Sequence, residues 1–206
     1  MNENTDFLAK LGLDEKPTRK RPGSRGVWVP PPGNALQLKI TLRYIRPPIW
    51  RRVAVPDNYT LSDLHYVIQR AMGWMGGHLH AFRAARQGFG PNIDLPGSAP
   101  LQRVLDRKGR KILYEYDFGD GWLHEILLEK LLPYDAKAAY PQCLAGARAC
   151  PPEDCGGVGG YCDLLDALAN PTAANASLRE WAGAEFDPEA FDLDAVNGSW
   201  SKRRRG

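Results

Sequence analysis

Long apolar runs are missing from this chain of 206 residues. None approaches the roughly 20 residues that a membrane helix needs, so no membrane role is expected. The opening Met-Asn-Glu-Asn-Thr-Asp has neither the basic nor the apolar region of a secretory signal, and the expected compartment is the cytoplasm. No internal repeat is visible. Several catalytic signatures are incomplete or absent. There is no Gly-x-Ser-x-Gly elbow, which excludes that hydrolase signature. Asp117-Phe118-Gly119 carries three letters of a kinase motif, but neither a Gly-rich loop nor a His-Arg-Asp segment accompanies it. Gly156-Gly-Val-Gly-Gly160 lacks the Lys-Ser/Thr that a phosphate loop requires. Cysteine is sparse, and Cys143, Cys150, Cys155 and Cys162 form no CxxC pair, so the usual zinc-ribbon spacing is absent.

What is present suffices for a folded core. The chain is 43% hydrophobic and 10% aromatic, well outside the range of a disordered sequence. Its net charge of +3 is unevenly placed. Lys16, Arg19, Lys20, Arg21 and Arg25 make a basic segment, and Lys202, Arg203, Arg204 and Arg205 make a basic tail. With residues 1–15 at −3, residues 26–201 are left at −3. Such arms can hold phosphate backbones by counterion release, making DNA a candidate partner. The commoner role of such charge runs is that of solvated termini.

Three parts are expected: an N-terminal arm and Pro/Gly linker over 1–35, a single domain over 36–200, and the tail over 201–206. Phe7, Leu8, Leu11 and Leu13 suggest a short helix within 1–15. Leu36, Leu38, Ile40, Leu42 and Tyr44 alternate with polar residues, which predicts a half-buried strand. Pro47-Pro48 stops it, and residues 49–55 return as its hairpin partner. Thr60 with Asp63 forms a capping-box pattern before Leu61, Leu64, Ile68 and Met72, and Gly73 can end that helix. A strand over 78–84, a Gly/Pro-rich loop over 87–100, a brief helix over 101–105 and strands near 112–118 and 122–131 follow. Residues 133–160 read as an irregular loop. Helices are expected over 161–169, 177–183 and from Asp187-Pro188 through Val196. This is an α+β pattern: a mostly antiparallel sheet with hairpins, and packed helices mainly from the C-terminal half.

The chemistry-bearing residues cluster. Asp120-Gly121 favours a two-residue hairpin turn, which would set Asp117 opposite His124. That pair reads as a functional couple or as a carboxylate that merely orients an imidazole. His78 and His80, two apart on a strand, would leave one face and could chelate a metal with His124, or simply be polar sheet residues. Four thiols in a Gly/Pro-rich stretch fit a zinc site or ordinary buried thiols, with a disulfide as a third reading. Pro151-Pro152-Glu153-Asp154 sets two acids on a stiff segment suited to a cation or a basic partner, or to capping the amides of Gly156-Gly157.

Together, Arg46-Pro-Pro-Ile-Trp-Arg-Arg52, Leu61-Ser-Asp-Leu-His65, Trp74, His78-Leu-His-Ala-Phe82, Tyr116-Asp-Phe-Gly-Asp-Gly-Trp-Leu-His124, Ala149-Cys-Pro-Pro-Glu-Asp-Cys-Gly-Gly157 and Gly160-Tyr161 resemble the Ri-plasmid open-reading-frame-three-like family, over roughly residues 36–200. Some of its members bear the label of insertion-element passenger TnpR proteins. The resemblance implies a compact α+β domain and plasmid- or transposon-linked bacterial genes, without an established activity. Neither a serine- nor a tyrosine-recombinase pattern is present here. The family matches point to Asp117, Asp120, Trp122, His124, Pro152, Glu153, Asp154, Gly156 and Tyr161. Three functions stand at this stage: a binding protein that touches nucleic acid through its arms, a metal-dependent hydrolase or nuclease using Asp117 and His124, and a zinc-stapled protein-interaction module.

Overall fold

The computed structural model describes residues 3–13, 31–84 and 93–201. The basic segment and tail singled out above, Arg19, Lys20, Arg21, Arg25 and Lys202 to Arg205, lie outside them. Helix α1 (Glu3–Lys10) leads into Leu11 and Leu13, and Phe7, Leu8, Leu11 and Leu13 all pack against the core.

The framework is a seven-stranded antiparallel sheet with the order β4-β3-β5-β6-β1-β2-β7. Its strands are β1 (Asn34–Leu42), β2 (Trp50–Pro56), β3 (His80–Ala84), β4 (Ile93–Leu95), β5 (Lys111–Tyr116), β6 (Trp122–Pro133) and β7 (Gln142–Ala147). The α+β expectation holds. The alternation read in β1 is the burial pattern observed: Leu36, Leu38, Ile40 and Leu42 are buried, while Gln37, Lys39 and Thr41 between them are half-buried. β1 pairs with β2 as a hairpin and, on its other side, with the twelve-residue β6.

Helix α2 (Leu61–Met72) lies against this buried face through Leu61, Leu64, Ile68 and Met72. Its capping box forms as the sequence predicts. The Thr60 hydroxyl accepts from the Asp63 amide, and the Asp63 carboxylate accepts from the Thr60 amide at 2.8 Å. Gly73 ends the helix in the left-handed conformation, φ 92°. The short helix α3 (Leu101–Val104) follows β4.

Three expectations are corrected here. The loop expected over 87–100 contains β4, which pairs with β3 through Phe82↔Leu95. The stretch expected to be irregular over 133–160 contains β7, an edge strand along β2, and helix α4 (Gly157–Ala169) starts inside the glycine run. Its small residues carry little strand or helix signal, and the pairing with β2 decides the matter. After α5 (Ala176–Ala182), Asp187-Pro188 opens a turn rather than a helix. Helix α6 (Leu193–Ser201) begins later, where Asp192 accepts from the Ala195 amide at 2.8 Å. The intervening Phe191 is held under the Arg51 guanidinium, 4.5 Å from its ring centre.

Candidate functional site

The β5–β6 hairpin sets the geometry of the site, and its register differs from the sequence expectation. The last pair is Tyr116↔Trp122, and His124 stands opposite Tyr114. The loop is therefore Asp117 to Gly121, closed by the Gly121 amide donating to the Asp117 carbonyl at 2.6 Å. The reason is burial. Tyr114, Tyr116, Trp122 and His124 are each at most 1% exposed and share the core face. A two-residue turn would shift the register and send part of that aromatic set to solvent. Asp117 is thus not the partner of His124.

His124 is a core residue. Its Nδ1 lies 3.2 Å from the Trp122 carbonyl and 3.4 Å from that of Tyr114, and its Nε2 has no partner. Burial pushes its pKa down to about 4, so the ring is neutral. It stands edge-on to Trp74, which also stacks on Tyr116.

Asp117 instead meets His78 and Asp154. His78 precedes β3 rather than lying in it, so it does not share a strand face with His80 as the sequence suggested. His78 Nδ1 is 3.5 Å from the Asp117 carboxylate, and its Nε2 is 3.4 Å from that of Asp154. One ligand atom from each of the three residues falls within 4.8 Å of the others, and among the described residues this is the group placed to hold a metal ion. Both acids sit in left-handed backbone, Asp117 at φ 53° and Asp154 at φ 62°, a conformation that Asp tolerates better than most residues. Asp117 Oδ1 accepts from the Gly119 amide at 2.9 Å, which orients the carboxylate.

The Pro-Pro-Glu-Asp loop is fastened to this corner at three points. Trp74 Nε1 donates to the Pro151 carbonyl at 2.9 Å. The Tyr116 hydroxyl donates to Glu153 at 2.6 Å, and the Met75 amide donates to the other oxygen of the same carboxylate at 3.1 Å. Burial, helped by Glu153, raises the Tyr116 pKa to about 12. Glu153 is thus engaged in positioning the loop, whereas Asp154 faces the His78 ring. Asp120 has one carboxylate oxygen buried and unpartnered, and its carbonyl lies where a Cβ on Gly157 would stand. Gly157, at φ 67°, is required there.

The remaining predicted residues are scattered. His80 starts β3 and stacks face to face on His65 at 3.7 Å. Cys143 and Cys150 lie near the buried Arg51, Cys155 lies near Asp120, and Cys162 is exposed on α4. Cys150 and Cys155 interact with each other, but among the described residues no three thiols come close enough together to form a metal-holding group. Burial raises the Cys150 and Cys155 pKa values to about 12, as it does for Tyr161, which is fully buried with an unpartnered hydroxyl.

Sequence reasoning passed over His65 and Gln69. His65 Nδ1 is 2.8 Å from the Tyr114 hydroxyl, to which Gln69 Nε2 donates at 2.9 Å. The signal was available: both are polar residues on the apolar stripe of α2, four positions apart.

Comparisons with known proteins agree with this architecture. The chain is 36% identical over 189 residues to the uncharacterized protein y4hQ of Sinorhizobium fredii, spanning 84% of this chain and 97% of that protein. It superposes on the crystal structure of MM3350, a protein of unknown function from Methanosarcina mazei Go1, with a TM-score of 0.70 and 39% identity. That match covers 79% of this chain and 96% of the other. The profile of plasmid pRiA4b ORF-3-like proteins matches residues 34–195, a span that takes in the sheet, the hairpin tip and the Pro-Pro-Glu-Asp loop. The chain therefore belongs to the plasmid pRiA4b ORF-3-like protein family.

Proposed function

We propose that this chain works through a divalent cation held by His78, Asp117 and Asp154, and that the cation activates water for hydrolysis of a phosphate ester. The observation that carries the reading is the meeting of these three side chains, from three separate segments, within 4.8 Å. One imidazole and two carboxylates suit zinc or manganese. The Asp154 side chain is 71% exposed, which leaves a solvent-facing side for water and substrate. A cation there lowers the pKa of bound water. Held by His78, Asp117 and Asp154, the ion would supply an activated water to attack phosphorus, and the ester P–O bond would break with its electron pair and a proton leaving on the alcohol. His124 has no part in this reading.

The test is calorimetric titration of chelator-treated protein with zinc and with manganese. One site per chain is expected. Asp117→Asn and Asp154→Asn should each weaken it at least about tenfold, roughly 1.4 kcal/mol. Loaded protein should hydrolyse bis(p-nitrophenyl) phosphate, and the variants should not. Absence of binding, or equal affinity in both variants, would sink the cation centre. Binding without turnover would sink only the hydrolase step.

A second reading has its own support. Met75, Leu79 and Phe118 are 90%, 73% and 50% exposed around the same acidic corner, an arrangement common at partner-docking surfaces. With basic segments at 16–25 and 202–205, the chain would then be a binding protein that touches nucleic acid through its arms.

A further inference from the structure

The end of the sheet that carries the His78 corner also carries a basic, aromatic surface. Leu42 pairs with His124, and the Arg43 amide donates to the Leu123 carbonyl at 2.9 Å. Continued one residue, this register brings Tyr44 level with Trp122, which pairs with Tyr116. The turn after β1 therefore leaves beside the β5–β6 tip, two strand spacings or about 10 Å from the end of β5 that leads into Asp117. Arg43, Tyr44 and Arg46 line an open concave site of about 400 Å³ there. Tyr44 is 66% exposed and held in left-handed backbone at φ 69°, where a bulky side chain is strained. The Arg43 guanidinium lies over its ring, 5.1 Å from the centre. Neither Arg43 nor Arg46 is paired with a carboxylate among the described residues. Glu125, the acid in the same lining, is held by Lys111 at 2.9 Å. The lining is left net positive.

The corner itself has an apolar rim, interleaved in the chain with the three residues that meet there. Leu79 follows His78, Phe118 follows Asp117, and the Met75 amide donates to Glu153, the residue before Asp154. The Asp117 amide donates to the Leu79 carbonyl at 2.9 Å, which keeps two of these segments together. All three apolar side chains are exposed. A phosphate at the corner would therefore set flat or apolar groups of the same molecule against Leu79 and Phe118. A duplex offers only phosphates, because its bases are stacked within. A single strand offers both: its phosphates pair with arginine, and its unpaired bases stack on aromatic rings. A protein partner would cover the apolar rim, but rings set beside unpaired arginines at a phosphate-ester site favour the strand.

We infer that this end of the sheet binds single-stranded nucleic acid, with unpaired bases stacked on Tyr44 and Phe118, phosphates on Arg43 and Arg46, and one phosphodiester at the His78 corner. The inference rests on the phosphate-ester reading above and names its substrate class. The turn after β1 holds the strand a few nucleotides from the corner, since about 10 Å spans roughly three phosphates at about 3.4 Å each. DNA and RNA strands present the same phosphates and ring faces, and the test uses both.

The experiment follows fluorescence anisotropy of labelled oligonucleotides of one sequence, as DNA strand, RNA strand and DNA duplex, titrated with the full chain in chelator. Chelator keeps the outcome independent of the cation titration, so the failure of one does not decide the other. At least one strand should bind at least about tenfold more tightly than the duplex. Tyr44→Ala and Phe118→Ala should each weaken that strand at least about fivefold, the low end for one stacked base, and leave duplex affinity unchanged. Both rings are exposed, so both variants should fold. Arg43→Gln combined with Arg46→Gln should lower the salt slope of strand binding by about 0.7 for each charge removed. Equal affinity for strand and duplex would overturn the inference and assign the binding to the basic segments at 16–25 and 202–205. Undiminished strand affinity in both ring variants would overturn it as well. So would no binding of either strand at low salt, which would leave the apolar rim to a protein partner.

Discussion

His124 shows how one residue changes meaning between sequence and fold. In the sequence it is an imidazole near two acids, and in the structure it is a neutral wedge among Trp74, Tyr114 and Trp122. Its pKa of about 4 lies below the ordinary histidine value of 6.5, so between those values the unfolded chain binds more protons than the native state. Stability from this residue is therefore fully present above about pH 6.5 and is lost as pH falls to about 4. The loss amounts to about 3 kcal/mol. Denaturant melts across this window should show it, with His65 contributing in the same direction. His124→Leu should flatten the slope. An equally steep acid limb in that variant would mean that other groups dominate. Nothing in the residue types around His124 announces this burial. Only the alternation through Tyr114, Tyr116 and Trp122, once the register is fixed, assigns it to the core.

Among the elements, the junction between the Pro-Pro-Glu-Asp loop and α4 carries the most geometric demand. A Cβ on Gly160 would collide with the Cys155 carbonyl, so the loop and the first turn of the helix approach at backbone contact. Gly160→Ala must push the loop away. We expect a stability loss of more than about 2 kcal/mol in urea melts, the range of severe overpacking. Weaker cation binding should accompany it, because Asp154 moves with the loop. An unchanged midpoint would show that this junction yields easily. The glycine run superficially suggested a phosphate loop, whereas here glycine serves close packing. By contrast, α2 was legible almost to the residue, because its caps at Thr60, Asp63 and Gly73 are local chemistry that needs no tertiary partner.

For the whole molecule, charge is divided between a mildly acidic folded region and basic segments at residues 16–25 and 202–205. If the arms hold nucleic acid, affinity of the full chain for duplex DNA should fall steeply with salt. Replacing Arg19, Lys20, Arg21, Arg25 and Lys202 to Arg205 by Ser should abolish binding. Electrophoretic shifts at low and moderate salt decide the point. Failure to bind at low salt removes the nucleic-acid role and leaves the His78 corner untouched. The strand order β4-β3-β5-β6-β1-β2-β7 places β6 beside β1, although some eighty residues separate them in the chain. No local pattern specifies that pairing.

The sequence by itself determined the α+β class, the β1–β2 hairpin, the boundaries of α2, the family resemblance, and the presence of Asp117, Asp154 and His78 in motifs worth watching. These rest on periodicity, capping and turn chemistry, which act over a few residues. Tertiary structure alone decided which of the marked residues meet. It turned Asp117 away from His124 and toward His78 and Asp154, and it set His65 against His80 and Tyr114. The physical reason is that register and packing are set by burying a shared apolar face over long sequence separations, and side chains that carry chemistry are placed by what that burial leaves at the surface.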